Sequence, residues 1–276
     1  MEMVKTAHAV DLHVHTTASD GTLSPRAVVK LARERKLYGV AITDHDTVDG
    51  VVEAQRAGVE FSVRVIAGVE LSATDESRDV HLLGYGIDLL DALFREKLSA
   101  LRSERDERIK KMVERAQACG MTIGMDDVLR ESSGGTVGRP HLARAMVKRQ
   151  LVSSVQEAFA LHLRRGGTCF VDRPQLAVKN AVQWIHDAGG VAVLAHPALI
   201  GDDAYVESYL HLGMDGIEVD HPDNDAAKRA TYRAIAMRMN LFTTAGSDFH
   251  GLTSGHRGDL GSQIMEYEDL PAKLRT

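Results

Sequence analysis

Apolar positions along the chain follow two rhythms. Short runs near 8–14, 39–43, 64–71, 80–85, 191–195, 216–220 and 242–246 are rich in β-branched residues and read as strands, and helical spacing fills many of the gaps between them. Ser24-Pro25 followed by Ala27, Val28, Leu31 and Ala32 is a capped helix with proline in its first turn, ending near Lys36. Val178 to Ala188 is another, stopped by Gly189-Gly190. Strands alternating with helices predict parallel βα units. A parallel strand is buried on both faces and should be continuously apolar, as Val191-Ala192-Val193-Leu194-Ala195 is. The expected fold is α/β, a (β/α) barrel of about seven strands.

Residues 89–175 break the alternation. Leu93, Leu98, Leu101, Ile109, Met112, Val113 and Ala116 give this stretch a helical pattern, which predicts a helical insertion over the barrel mouth and leaves 1–88 and 176–276 for the barrel. At 276 residues with 44% hydrophobic content, the chain suits one large domain of this kind. Cys119 and Cys169 stand fifty residues apart without a partner motif, so neither a disulfide framework nor a cysteine-bound zinc is expected. No apolar run approaches the ~20 residues of a membrane span, and Met-Glu-Met-Val-Lys-Thr has no signal-peptide core, so a cytoplasmic protein is expected.

A barrel places reactive residues at the C-terminal ends of its strands. Histidines and acids gather there: Asp11-Leu12-His13-Val14-His15, Thr43-Asp44-His45-Asp46, Val69-Glu70, Val80-His81, Ala195-His196-Pro197, Glu218-Val219-Asp220-His221 and Ser247-Asp248-Phe249-His250. Two residues apart on a strand, His13 and His15 put both imidazoles on one face, with Leu12 and Val14 on the other. Such a pair holds one metal ion, and the other strand ends supply nitrogen and oxygen ligands suited to zinc, manganese or iron. Burying so many ionisable groups without a cation would cost several kcal/mol each. Asp11 is expected to orient a ligand imidazole, and Asp44 and Asp46 to orient His45 or its loop. His8, His162, His186 and His211 stand alone and read as surface or structural residues.

Taken together, the motifs Asp11-Leu-His13-Val-His15, Thr43-Asp44-His45, Gly68-Val-Glu70, His81-Leu-Leu-Gly-Tyr85, Ala195-His196-Pro197 and Ser247-Asp248-Phe249-His250 resemble the polymerase and histidinol phosphatase (PHP) family of metal-dependent phosphoesterases. They extend over nearly the whole chain. The resemblance implies a distorted (β/α)₇ barrel with up to three divalent ions; mixed imidazole and carboxylate ligation favours manganese, with zinc, iron or magnesium as alternatives. It implies His13, His15, Glu70 and Asp248 at one ion, Glu70, His81 and His196 at a second, and Asp20, His45 and His250 at a third. Glu70 has two oxygens and can bridge two ions, and paired ions can clamp both the attacking and leaving oxygens of a phosphoryl displacement.

Net charge is −6, unevenly spread: residues 95–165 hold 15 Lys/Arg against 9 Asp/Glu, and the rest of the chain 18 against 30. This basic island either reads an anionic substrate or is a solvated helix face. Arg102, Arg105 and Arg108 recur every three residues and can share a face. Gly134, Gly135 and Thr136 precede Gly138-Arg139-Pro140-His141 and an apparent helix, a site type that suits a phosphate. The run from Gly138 to His141, with Glu157-Ala-Phe159, resembles the insertion of the PHP subgroup acting on nucleotides, which includes nucleoside 3′,5′-bisphosphate phosphatases and 5′-to-3′ exoribonucleases.

The expected activity is therefore removal of the 3′-phosphate from a nucleoside 3′,5′-bisphosphate. Asp20, His45 and His221 are the candidate catalytic groups. Arg102, Arg105, Arg108, Gly134, Gly135, Thr136, Arg139 and His221 are the candidate substrate contacts, although His221 reads equally as a loop brace. The rivals are trimming of short RNA from its 5′ end, a histidinol-phosphatase-like activity, and a noncatalytic metal- or nucleotide-binding module. A small nucleotide or an RNA 5′ end is the expected partner, with no membrane and no protein partner indicated.

Overall fold

The computed structural model describes residues 8–75, 78–132, 135–172, 176–252 and 258–275. The first half alternates as expected: β1 (Ala9–Val14), α1 (Pro25–Glu34), β2 (Gly39–Ile42), α2 (Val51–Phe61), β3 (Arg64–Asp75) and β4 (Arg78–Tyr85). The helical stretch follows, with α3 (Ala92–Ala118), α4 (Met125–Leu129), α5 (Arg139–Lys148) and α6 (Val155–Ala158), the last continuing through a wider turn to Leu163. The second half resumes with α7 (Val178–Asp187), β5 (Val191–Leu194), α8 (Asp203–Leu210), β6 (Gly216–Asp220), α9 (Ala226–Met239), β7 (Phe242–Ala245) and β8 (Met265–Glu266).

The strands form one sheet in the order β7-β6-β5-β4-β3-β2-β1-β8. Val14 bridges Phe249 just beyond β7, and the His15 N–H donates to the Phe249 carbonyl at 2.9 Å, so the sheet curls into a nearly closed, distorted barrel. Two features differ from a simple run of parallel βα units. A short eighth strand, β8, pairs antiparallel with β1, and β4 runs antiparallel to both β3 and β5. Only two residues separate β3 from β4, a connection that can make a hairpin but not a parallel crossover. The hairpin ladder continues to Asp75 opposite Arg78, so β3 extends past its expected end near 71.

Two apolar layers sandwich the strands. Val10, Leu12, Ile66, Leu83, Tyr85 and Val193 cluster inside the barrel, where the Tyr85 hydroxyl donates to the Leu12 carbonyl at 2.8 Å. Val28, Val29, Ile42, Val51, Leu82 and Ile185 pack between barrel and helices. Leu12 and Val14 were expected on one face, yet they fall into different layers. The register steps from Asp11 opposite Val40 to Val14 opposite Ile42, setting three residues of β1 against two of β2. This bulge turns the end of β1 at the point where it presents its histidines.

Helix caps agree with the sequence signals. Ser24 Oγ accepts from the Ala27 N–H and Asp91 Oδ1 from the Phe94 N–H, at 3.2 and 2.7 Å. Along α3 the packing changes partner: Phe94 and Leu98 join the barrel core, whereas Ile109, Met112 and Val113 join a separate cluster with Leu142, Met146 and Leu163. This second body docks beside the barrel mouth through Gly135. A Cβ there would lie 2.2 Å from the Thr17 carbonyl oxygen, and the next residue, Thr136, donates its N–H to the Ala18 carbonyl at 3.0 Å. Among the described residues no helix is long and apolar enough to cross a membrane.

Candidate metal centre

Glu70 stands among five imidazoles. Its Oε1 lies 2.7 Å from His81 Nδ1 and 3.0 Å from His196 Nε2. Its Oε2 lies 3.4, 3.2 and 3.0 Å from His13 Nε2, His15 Nε2 and His45 Nδ1. Asp248 Oδ1 approaches His15 Nε2 at 3.1 Å and His13 Nε2 at 3.5 Å. Asp20 Oδ1 is 3.2 Å from His250 Nε2, while its Oδ2 is 3.9 Å from His45 Nε2. His81 reaches this rim from near the start of β4 because that strand runs against its neighbours. His196 and Asp248 have φ of 26° and 54°, a region that costs non-glycine residues roughly 1–3 kcal/mol and is retained where the surroundings enforce it.

The donor set fits divalent metal. His15, Asp20, His45 and His250 bring one ligand atom each within 4.8 Å of one another, as do His13, His15 and Asp248, and also His45, Glu70 and His81. His13 Nε2, both ring nitrogens of His15, His45 Nδ1, His81 Nε2 and Glu70 Oε2 are buried without a hydrogen-bond partner. Unpaired polar atoms of this kind destabilise a protein by about 1–3 kcal/mol each, and a shared cation satisfies them together.

Electrostatics agrees. Burial pulls the His15 and His196 imidazoles down to about 4, so both are neutral and able to donate a lone pair. Burial opposes ionisation of Glu70 and Asp20, but the imidazoles around them win and hold both well below the usual carboxylate range. His13 is the exception: Glu218 and Glu70 outweigh burial and push it up to about 10, so without a cation it carries a proton that a metal would have to displace.

The residues around the ligands correct one expectation. Among the described residues Asp11 pairs with no imidazole. It accepts the N–H groups of His13, Ser247 and Gly261 at 3.3, 2.9 and 2.8 Å, tying the end of β1 to the segment after β7. The carboxylate on the far side of His13 is Glu218, with Oε1 3.0 Å from Nδ1. Its position at a strand end was visible in the sequence, but the partner lies 205 residues away. Asp44 accepts from the Thr16 N–H at 2.7 Å and from the Ser19 hydroxyl at 2.6 Å, and Asp46 accepts from the Ser72 N–H at 2.8 Å, so both brace loops. His221 is fully buried beside this cluster: its Nδ1 accepts from the Asp223 N–H at 3.1 Å and its Nε2 lies 3.5 Å from Asp248 Oδ2.

Above the centre lies a small cavity of about 110 Å³. Asp20, His45 and His81 line one side; Arg105, Arg108 and Arg139 line the other, with Phe159 beside them. Arg105 is braced by Asp46 at 2.8 Å and the Ser72 hydroxyl at 3.0 Å, and Arg139 by Asp79 at 3.1 Å. Arg108 donates to the Val171 carbonyl at 2.8 Å. Arg102 is outside this lining, bonded to the Thr47 hydroxyl at 2.8 Å and to Asp49. A three-residue step precesses by about 60° on an α-helix, so Arg105 and Arg108 both reach the cavity while Arg102, two steps from Arg108, turns away from it. Thr136 is buried, Gly135 packs on the loop after β1, and Gly134 lies outside the described residues. Arg144, which the sequence reading passed over, reaches the Asp20 carbonyl at 3.4 Å. It lies on the same helix as Arg139, a signal that was available.

His141 steadies Arg139 by accepting the Gly138 N–H at 2.9 Å. Burial lowers its imidazole to about 4, below the ordinary value near 6.5. Its contribution to stability is therefore complete above about pH 6.5 and is lost as pH falls toward 4. At one pKa unit per 1.36 kcal/mol, His141→Asn should flatten the acid limb of stability by about 2–3 kcal/mol, measured by urea unfolding at pH 7 and 4.5. An unchanged limb would remove His141 from the account.

Residues 11–100 match the sequence profile of the PHP domain. The 5′-3′ exoribonuclease Rnm of Escherichia coli strain K12 is 34% identical over 90% of this chain and 88% of its own. The chain belongs to the PHP family. A second PHP relative, the 3′,5′-nucleoside bisphosphate phosphatase of Chromobacterium violaceum, is 32% identical over 96% of this chain and 94% of its own. A solved chain from Bifidobacterium adolescentis, a candidate metal-dependent phosphoesterase, superposes with a TM-score of 0.88 at 33% identity, covering 96% of this chain and 94% of that one. This PHP protein is a metal-dependent phosphoester hydrolase that binds divalent metal.

Proposed function

We propose that this PHP enzyme, in the cytoplasm, removes the 3′-phosphate from a nucleoside 3′,5′-bisphosphate such as adenosine 3′,5′-bisphosphate. One observation carries the reading: a single cavity has Asp20, His45 and His81 on one wall and three guanidinium groups on the other. A substrate with two phosphates uses both walls. The name of the Chromobacterium violaceum relative supports this choice.

In this proposal His13, His15, Glu70 and Asp248 hold one ion, Glu70, His81 and His196 a second, and Asp20, His45 and His250 a third, with manganese the favoured metal. Bound ions supply Lewis acidity that activates water and polarises the scissile phosphate. Arg105 and Arg139 take the other phosphate with planar paired donors. Burial presses the Arg139 guanidinium below its ordinary value, Asp79 opposes this and the neighbouring Arg105 charge adds to it, so an anion between the two arginines would offset their mutual repulsion. His45 and Asp20 line the cavity on the side away from the arginines, where an imidazole can stabilise charge on the transferred phosphoryl oxygens. His221 does not line the cavity and acts through Asp248.

The same wall of arginines admits the 5′ end of a short RNA, the reading favoured by the name of the Escherichia coli relative. A phosphate- and nucleotide-release screen with manganese over bisphosphates, monophosphates and short RNAs separates the two. Preferential conversion of adenosine 3′,5′-bisphosphate to AMP is expected; release of mononucleotides from RNA with no bisphosphate turnover would replace the proposal by its rival.

The arginine wall makes its own prediction. A charge-assisted hydrogen bond contributes roughly 1.5–3 kcal/mol, so Arg105→Ala or Arg139→Ala should lower kcat/KM for the bisphosphate by about tenfold to a hundredfold while sparing a simple monophosphate ester. Arg102→Ala should leave the ratio of the two at the parent value. If Arg105→Ala and Arg139→Ala also leave it there, the wall does not read phosphate.

A further inference from the structure

Glu218 makes contacts that no ligand grouping above uses. It is completely buried in the middle of β6. Its Oε1 lies 3.0 Å from His13 Nδ1, and its Oε2 accepts the His196 backbone N–H at 2.7 Å. Two residues from opposite sides of the barrel are thus tied to one carboxylate.

We propose that Glu218 is a positioning residue of the metal centre, fixing the His13 side chain and the His196 backbone at the same time. This rests on the reading of His13 and His196 as metal ligands. An oxygen acceptor at Nδ1 keeps the hydrogen on that nitrogen and leaves Nε2, which faces Glu70 and Asp248, with the lone pair a metal requires. At His196 the constraint is on the chain. Its φ of 26° is one that a non-glycine residue leaves unless held, and the Glu218 bond to its N–H holds it.

The surroundings allow Glu218 little freedom. Asn224 Nδ2 donates to the Glu218 and Val219 carbonyls at 3.1 and 2.9 Å, and Asn224 Oδ1 accepts from the Ala198 N–H at 3.3 Å, joining the loop after β6 to the loop after His196. Gly246 closes the other side: a Cβ there would lie 2.8 Å from Glu218 Oε1 and 2.2 Å from His13 Cβ. Glycine is therefore required for the pair to meet. His221 is grouped with Glu218 and His13, with one ligand atom from each within 4.8 Å of the others, but its Nδ1 is taken by the Asp223 N–H.

Glutamine is the informative replacement. Its amide can accept from only one of the two N–H groups and presents a donor to the other, so the double contact fails while shape is kept. Manganese alone, titrated calorimetrically into metal-stripped protein, gives affinity and stoichiometry without any substrate. Glu218→Gln should weaken manganese binding by about tenfold to a hundredfold at unchanged stoichiometry. A second readout is the slowly exchanging His13 Nδ1 proton, followed by nitrogen-edited NMR in the metal-stripped protein; it should be present in the parent and lost in the variant. If Glu218→Gln does not fold, Glu218→Asp, which retains the charge but cannot span both contacts, is expected to show the same weakening. Parent affinity and a retained proton signal in a folded variant would overturn the role. Loss of one ion with the remaining affinity intact would make Glu218 a ligand and overturn it equally. A parent that binds no manganese refutes the ligand reading itself, and the Glu218 role with it.

Discussion

Glu70→Ala is expected to abolish turnover while the barrel remains folded. The side chain sits between two groups of imidazoles, His81 and His196 at one oxygen and His13, His15 and His45 at the other. On the proposed assignment, removing it would take a ligand from two ions at once. Lewis-acid stabilisation is worth several kcal/mol and each 1.36 kcal/mol is tenfold in rate, so a loss on the order of a thousandfold or more follows. The fold should survive because the backbone at 70 keeps its ladder position opposite Leu83, and the flanking Val69 and Leu71 remain in the core. Kinetics, elemental analysis and a melting curve on the same preparation test this. Near-normal turnover with full metal content would refute the shared-ligand role.

Metal removal should match that effect without any mutation. Chelation is expected to abolish activity, and restored manganese to raise the melting temperature, since an ion that binds only the folded state at 100 times its Kd adds roughly 2.7 kcal/mol. Protonation provides the sign. In the metal-stripped protein Glu218 and Glu70 hold His13 as the imidazolium, raised to about 10. Its pairing stabilises that form fully below the ordinary value of about 6.5 and fades as pH rises through about 10. Metal and proton compete for Nε2, so binding near neutral pH should release protons and tighten as pH rises. Calorimetry in two buffers of different ionisation enthalpy measures the release. Activity indifferent to chelator, or binding with no proton release, would contradict this account.

The amino-acid sequence alone determined the alternation of strands and helices, the place where it breaks, and the chemical type of nearly every group at the barrel mouth. These are local properties. Apolar period separates strand from helix, and a strand end carrying His, Asp or Glu keeps that character whatever it later faces. The tertiary structure decided which groups meet. The two-residue link between β3 and β4 reverses a strand and brings His81 to the rim from its near end. The bulge at Leu12 and His13 splits Leu12 from Val14 and re-aims the histidine pair. A ligand imidazole needs a carboxylate or carbonyl on its other ring nitrogen, and Asp11 lies two residues from His13, yet Glu218, 205 residues away, takes that place. On α3 the recurrence of arginine every three residues was legible, but which of them enter the cavity depends on what each turn packs against. Arg105 and Arg108 line the site, whereas Arg102 is held by Thr47 and Asp49 outside it. Distances between side chains from separate strands depend on register, twist and closure, which no local window of sequence encodes.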